Sequence, residues 1–173
     1  DTLVFQMEVA LPENFAAVVL ARRRGARTVL NAAPAQRVPE ETLRVLDVLV
    51  VNEHEAMIVA EAVGLSVSGP TEAAEGLHRT YGCSAIVTLG SKGAQAWHEG
   101  ILLEIPAPKI VPVDTTSAGD SFVGAFAAAL DGGSDFPTAV RRGVVAGSLA
   151  CTLPGAQTSI PRLADILSFS TDF

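Results

Sequence analysis

Aromatic residues are scarce in this chain: one tryptophan, one tyrosine and seven phenylalanines make up 5% of 173 residues. A core with so few rings has to be filled by Ala, Val and Leu, and the 49% hydrophobic content supplies them. That content excludes a disordered chain and is enough for one domain with a real core. Cysteine is as sparse. Cys83 and Cys151 are too few and too isolated for a disulfide framework or a metal cluster, and read as reduced core thiols of a cytoplasmic protein. No basic run exists and the net charge is −7, so no nucleic-acid partner is expected. Gly, Pro and charges interrupt every apolar stretch short of membrane-spanning length, so no membrane partner is expected. His54, His78 and His98 are scattered without metal-ligand spacing. A Gly-x-x-x-x-Gly-Lys-Ser/Thr phosphate loop is missing too, because Lys92 lacks both the preceding loop and the following hydroxyl.

What is present is an alternation of strand and helix patterns. Leu3–Gln6, Arg27–Asn31, Val48–Val51 and Ala85–Leu89 read as buried strands. Helices are expected over Glu13–Arg24 (with Pro12 before it and Gly25 ending it), Glu40–Leu46, Glu53–Val63 and Thr71–Tyr81. Two short alternating stretches, Ala94–His98 and Ile101–Ile105, suggest a hairpin turning at Glu99-Gly100, with Trp97 packed in it. Helices over Ser121–Leu130, Pro137–Thr152 and Pro161–Phe169 complete the chain, Arg141-Arg142 lying on a solvated helix edge. Such alternation means βαβ units, a mostly parallel sheet and helices on both faces. Ligands of such sheets sit at the C-terminal strand ends.

Three turns carry candidate chemistry. Residues 114–120 read Asp-Thr-Thr-Ser-Ala-Gly-Asp and open onto a helix of small apolar residues. The turn presents backbone N–H groups at the positive end of a helix dipole, an anion site. Asp120 adds a carboxylate in the first turn. N–H donors beside a carboxylate suit phosphoryl transfer to an alcohol, the donors holding negative charge while the carboxylate takes the hydroxyl proton. An isolated Ala-Gly-Asp would instead be a first-turn acid that complements the dipole. The second turn is Asn52-Glu53-His54-Glu55, after the third strand. It is either a helix cap with first-turn acids, or a place where Asn52 and Glu55 organise phosphate and Mg²⁺ through water. The third is Thr88-Leu89-Gly90-Ser91-Lys92-Gly93, either a tight turn into the hairpin or a close backbone approach to a nucleotide.

The segment Asp114–Phe126 (DTTSAGDSFVGAF) resembles the C-terminal signature of the ribokinase-like (PfkB) family of carbohydrate kinases. The order Asn-x-x-Glu, then Thr-Leu-Gly-Ser-x-Gly, then Asp-Thr-x-x-Ala-Gly-Asp is similar to that family, as is Gly155-Ala156-Gln157 with Ser159 and Pro161. Phe5-Gln6-Met7-Glu8 and the Asn31–Ala35 loop resemble its ribokinase branch. The resemblance covers essentially the whole chain but only the C-terminal part of a family member. It implies an α/β, three-layer ribokinase-like fold with a mostly parallel sheet flanked by helices, lacking the N-terminal part and β-lid. Residues 1–173 would then be one C-terminal portion of the kinase domain, carrying the nucleotide site and catalytic base.

The implied activity is ATP-dependent phosphorylation of a sugar primary hydroxyl, foremost D-ribose to ribose 5-phosphate. The alternatives are a fructokinase, deoxyribokinase or nucleoside kinase, or a truncated chain that binds nucleotide without catalysis. By the same resemblance, Asp120 would be the general base, and the N–H groups of Ser117, Ala118 and Gly119 the anion hole. Asn52 and Glu55 would order phosphates and Mg²⁺. Thr88, Gly90, Ser91 and Gly93 would line the nucleotide site. Asp114, Thr116, Gly155 and Ser159 would surround a monovalent cation, K⁺, that stiffens the anion-hole loop. Glu8 would contact the sugar, unless it only caps its strand end. The chain starts at Asp1 without a leader, inside a strand pattern, and is therefore expected to be the C-terminal part of a longer cytoplasmic protein. By itself it should show little or no kinase activity. Any homodimer would form through the missing lid.

Overall fold

The computed structural model describes residues 1–170. They form two compact units: Asp1–Thr88 with Gln95–Leu103, and Leu89–Ala94 with the chain from Glu104 onward. The order of elements is β1 (Thr2–Gln6), α1 (Leu11–Arg23), β2 (Arg27–Asn31), α2 (Glu40–Leu43), β3 (Val48–Asn52), α3 (Glu53–Ala62), α4 (Pro70–Tyr81) and β4 (Ser84–Thr88). A short 3-10 turn at Gly90–Lys92 follows, then β5 (Ala94–His98), β6 (Ile101–Ile105), α5 (Ala118–Asp131), α6 (Phe136–Ala150) and α7 (Leu163–Ser170). The α/β class expected from the alternation is the class found.

Six strands form one sheet in sequence order, β1 to β6. The first four pair in parallel, with Val4 beside Val29, Leu30 beside Leu49 and Leu49 beside Ala85. Parallel strands linked by helical crossovers are covered on both faces, so they read as continuous apolar runs. Val48 to Val51 fit this rule: none is more than 3% exposed. Val18, Leu43 and Leu77, from three helices of the first unit, are completely buried. The other ends of β2 and β3 are tied by Asp47. Its carboxylate accepts from Thr28 N (2.8 Å), Thr28 Oγ1 (3.0 Å) and the Arg22 guanidinium (2.7 Å).

In the second unit α5 and α6 pack closely. Gly143 and Gly147 make this possible, because a Cβ on Gly147 would stand 2.9 Å from the Ala118 carbonyl. Phe126 is fully buried at the centre, stacked on Phe122 (6.2 Å) and meeting Phe136 edge to face (5.6 Å). Ile166 of α7 packs on Val145 and Ala146 of α6.

Element boundaries differ from expectation where proline and caps decide them. Pro12 lies inside the first turn of α1, and Pro137 inside that of α6. An N–H is dispensable there, so α1 begins at Leu11 with Pro12 inside it instead of after Pro12, and α6 begins one residue before Pro137. Asp135 caps α6 by accepting from Thr138 N at 2.7 Å. The hairpin turn falls at Glu99-Gly100, both with positive φ (51° and 78°), as a tight hairpin twist requires. Among the described residues no helix is long and apolar enough to cross a membrane.

Candidate active site

The segment before α5 is folded around one carboxylate. Asp114 Oδ1 accepts from Thr116 N (3.0 Å) and Thr116 Oγ1 (2.6 Å), closing a local turn of the kind short acidic side chains favour. Asp114 Oδ2 accepts from Gly155 N at 2.9 Å, across 41 residues. The Thr116 hydroxyl first, then the Gly155 and Thr116 N–H groups, hold the Asp114 carboxyl below the usual carboxylate range. The Cys151 carbonyl supports the same turn by accepting from Val113 N (2.7 Å) and Asp114 N (3.2 Å). This contribution is invisible in the sequence, because it comes from a backbone atom at the end of α6.

The turn at 154–159 closes on itself. Thr158 Oγ1 donates to the Pro154 carbonyl at 2.7 Å, and Ser159 Oγ donates to the Gly155 carbonyl. Gly155 has φ +93, and a Cβ there would meet Thr158 Oγ1 at 2.7 Å. Ser159 and Ser117 are both buried, at 3% exposure, and their hydroxyls meet at 2.8 Å. The four residues expected around a cation, Asp114, Thr116, Gly155 and Ser159, are thus linked through this hydrogen-bonded loop pair.

The start of α5 then emerges exposed. Ser117 stands at its N-cap but makes no side-chain cap. Gly119 and Asp120 are exposed, and Asp120 is the third residue of the helix. Ala118 N donates to the Thr115 carbonyl at 3.3 Å, but no N-cap side chain closes the Gly119 and Asp120 N–H groups, so these donors and an accessible carboxylate occupy the same turn.

The Gly90 turn also belongs to the second unit. Leu89 N donates to Gly93 O (2.8 Å) and Gly93 N to Gly90 O (3.0 Å). Gly90 and Ser91 are exposed, whereas Gly93 is buried. Gly93 has φ +98, and a Cβ there would lie 2.6 Å from Ala107 N. Packing alone thus demands glycine at this position.

In the first unit, Asn52 and Glu55 form a complete capping box. Asn52 N donates to Glu55 Oε2 and Glu55 N to Asn52 Oδ1, both at 2.8 Å. Burial pushes the Glu55 carboxyl up, against the lowering effect of the Asn52 N–H and of His54. Thr88 is the register partner of Asn52 on the neighbouring strand, and its hydroxyl donates to the Val51 carbonyl at 3.4 Å. Asn52 and Thr88 thus adjoin at neighbouring strand ends.

Glu8 is exposed beyond β1, its carboxylate accepting from Gln6 Nε2 at 3.2 Å. Met7 N donates to the Ala33 carbonyl at 3.0 Å, so the Phe5–Glu8 and Asn31–Ala35 motifs meet at adjacent strand ends. Asn14, unremarked in the sequence, fastens this corner by donating to the Gln6 carbonyl. A polar residue in an otherwise unexceptional helix gave no signal for it.

Comparison with known proteins accords with this geometry. The family model described as pfkB family carbohydrate kinase matches residues 8–163. The ribokinase of Haemophilus influenzae is 34% identical over 169 residues, covering 98% of this chain and 55% of its own length. The crystal structure of ribokinase from Thermotoga maritima is matched with a TM-score of 0.89 and 33% identity, over 99% of this chain and 57% of that one. The ribokinase of Arabidopsis thaliana complexed with ribose and ATP is matched with a TM-score of 0.88 and 26% identity, over 98% and 55%. The fold is therefore the three-layer α/β fold expected from the sequence. The chain spans about half the length of the curated relatives it matches.

Proposed function

This chain belongs to the pfkB family of carbohydrate kinases, and from that premise we propose that it is the C-terminal portion of an ATP-dependent ribokinase, carrying the catalytic base and nucleotide-handling turns. The observation that carries the reading is the uncapped start of α5, with exposed Asp120 in its first turn, held by the Asp114 and Gly155 turns.

In this reading Asp120 accepts the proton of the ribose 5-hydroxyl as that oxygen bonds to the γ-phosphorus and the bond to ADP breaks. The N–H groups of Ser117, Ala118 and Gly119 take up the charge on the transferring phosphoryl oxygens. Gly90 and Ser91 let the backbone approach the nucleotide. The exposed Val111 and Val113 offer apolar surface for its base. Asn52 and Glu55 order phosphates, Thr88 lines the nucleotide site, and Glu8 contacts the sugar.

Among the described residues no cluster of three or more His, Cys, Asp or Glu could hold a metal directly. By the family resemblance, Glu55 would reach a Mg²⁺ ion through water. Such an ion neutralises phosphate charge during transfer. The oxygen-rich pairing of Asp114 and Thr116 with the Gly155–Ser159 turn suits a monovalent cation such as K⁺, which would stiffen the loop before α5. Two free cysteines, Cys83 and Cys151, accord with a cytoplasmic location.

The test has two arms. ATP added to this chain should shift the amide resonances of Ser117 to Asp120; absence of any shift there refutes the anion-hole assignment. In a protein of the relatives' full length that carries this chain, Asp120→Asn should lower kcat for ribose by about 10²- to 10⁴-fold while ATP affinity stays nearly unchanged. Turnover that survives the change would remove Asp120 from the role of base.

A further inference from the structure

Glu8 is exposed, yet its carboxylate is not left loose beyond β1, because Gln6 grips the residue at two points. Gln6 Oε1 accepts from Glu8 N, and Gln6 Nε2 donates to Glu8 Oε2 at 3.2 Å. Chemistry fixes which end of the amide does which. A backbone N–H only donates and a carboxylate only accepts, so both contacts demand the same orientation of the Gln6 amide, and turning it over would lose both. Two further side-chain amides hold the backbone on which this clamp stands. Asn14 Nδ2, from α1, donates to the Gln6 carbonyl. Gln36 Nε2, from the loop after β2, donates to the Met7 carbonyl at 3.3 Å. Met7 is buried, and its N–H donates to the Ala33 carbonyl. Asn14 and Gln36 thus fix the main chain, and Gln6 is the amide that reaches the carboxylate.

We propose that Gln6 is a positioning residue that aims the Glu8 carboxylate at a hydroxyl of the sugar. With Oε2 tied to the Gln6 amide, Oε1 is the oxygen that accepts from the substrate. A glutamate without the clamp would give up its rotamer freedom when the sugar arrives, and that cost would come out of sugar affinity. The clamp meets the cost during folding. Gln6 also does this without a charge of its own, so Glu8 keeps its full negative charge for the hydroxyl, whereas a cation at this position would compete for it. The inference rests on the reading of Glu8 as the sugar contact for its purpose, and on the hydrogen bonds for its geometry.

Ribose phosphorylation by a protein of the relatives' full length that carries this chain tests the role, read as a split between KM and kcat. Gln6→Leu, similar in size and without polar atoms, should raise KM for ribose by about three- to tenfold and leave kcat and KM for ATP unchanged, the pattern of lost ground-state binding. Gln6→Glu supplies a readout that a packing role would not move. At neutral pH its two carboxylates face each other, and KM for ribose rises further. On acidification from about pH 7.5 to 5 the pair takes up one shared proton, which restores both the donor and the single negative charge of the natural pair. The ratio of its KM to that of the wild type should therefore fall toward one, while the ratio for Gln6→Leu stays flat. Gln6→Glu is compared with itself across pH, so it decides the matter even where Gln6→Leu folds badly. Exchange of the Glu8 amide, read by NMR on this chain without ligand, reports the clamp alone and should quicken by about fivefold in Gln6→Leu. A flat ratio for Gln6→Glu, or an unchanged Glu8 amide in Gln6→Leu, overturns the inference. Glu8→Ala separates it from the reading beneath it. An unchanged KM for ribose in Glu8→Ala refutes Glu8 as the sugar contact and takes the role of Gln6 with it, whereas a raised KM there beside an unchanged one in Gln6→Leu strikes the role of Gln6 only.

Discussion

Replacing Gly93 with alanine should damage stability far more than nucleotide binding, and the reason is local. Gly93 sits at φ +98, ψ −129, a conformation that side chains avoid. A Cβ there would lie 2.6 Å from Ala107 N and from the Pro106 carbonyl carbon, and closer still to the Ile105 carbonyl. All of these are backbone atoms, so no flexible side-chain end can swing away. Backbone strain of this kind costs about 1–3 kcal/mol, and forcing extra volume against a packed backbone adds about 1–3 kcal/mol. The sum, about 2–6 kcal/mol, is a large part of the roughly 5–15 kcal/mol that holds a typical domain together. With a urea slope of about 2 kcal/mol/M, the midpoint of unfolding should fall by about 1–3 M. Far-UV circular dichroism in urea is the assay. Gly90→Ala is the control. Gly90 also has positive φ (+56), but a Cβ there would have nothing within 4 Å. Only the left-handed strain of about 1 kcal/mol remains, and any larger effect should appear in ATP affinity. Equal midpoints for the two variants would refute the argument that the approach to Ile105–Ala107 is what requires glycine at 93.

Three further outcomes are expected. Gly147→Ala places a Cβ 2.9 Å from the Ala118 carbonyl and so pushes α6 away from the start of α5; it should cost about 1–3 kcal/mol, with phosphate-induced shifts at 118–120 reduced, and full retention of those shifts would show that α6 does not brace the turn. Asn52→Ala removes the acceptor of Glu55 N and should lower stability by about 1 kcal/mol in thermal or urea unfolding; a loss under about 0.3 kcal/mol would mean that α3 does not depend on its capping box. The Asp114 carboxyl titrates below its ordinary value, so its stabilising bonds are fully present above the unfolded pKa near 4 and are lost as pH falls through the depressed folded value. Exchange of the Gly155 amide should therefore quicken on acidification in that window, and should be fast and pH-insensitive, apart from intrinsic exchange, in Asp114→Asn; identical acid profiles for the two proteins would count against the link.

Much of the fold was legible because its signals are local. The Val48–Val51 run announces a parallel strand covered on both faces, and the Glu99-Gly100 turn between alternating stretches announces a hairpin. The start of α1 departs from expectation for an equally local reason: Pro12 looks like a boundary before the helix, whereas proline is tolerated within a first turn. The candidate site was legible to the extent that its residues lie close together in sequence, as in Asp114–Asp120 and Asn52–Glu55. What stayed hidden are bonds over long sequence separations and bonds to backbone atoms. Nothing at position 151 marks its carbonyl as the acceptor for Val113 and Asp114, since any residue there has a carbonyl.

The same reasoning explains why a residue type can mislead even where it is read correctly. Serine at the start of a helix is a capping signal, and by that rule Ser117 should close α5 to anions. The rule fails because the backbone at Ser117 has ψ 13° and not the extended value found at the caps Asn52 and Asp135, so its hydroxyl meets Ser159 Oγ, 42 residues away, instead of the first-turn N–H groups. The exception falls at a helix start whose N–H groups serve the chemistry proposed for this chain. Among the described residues, the break at Ser117 is thus more informative about function than the two places, Asn52 and Asp135, where the rule holds.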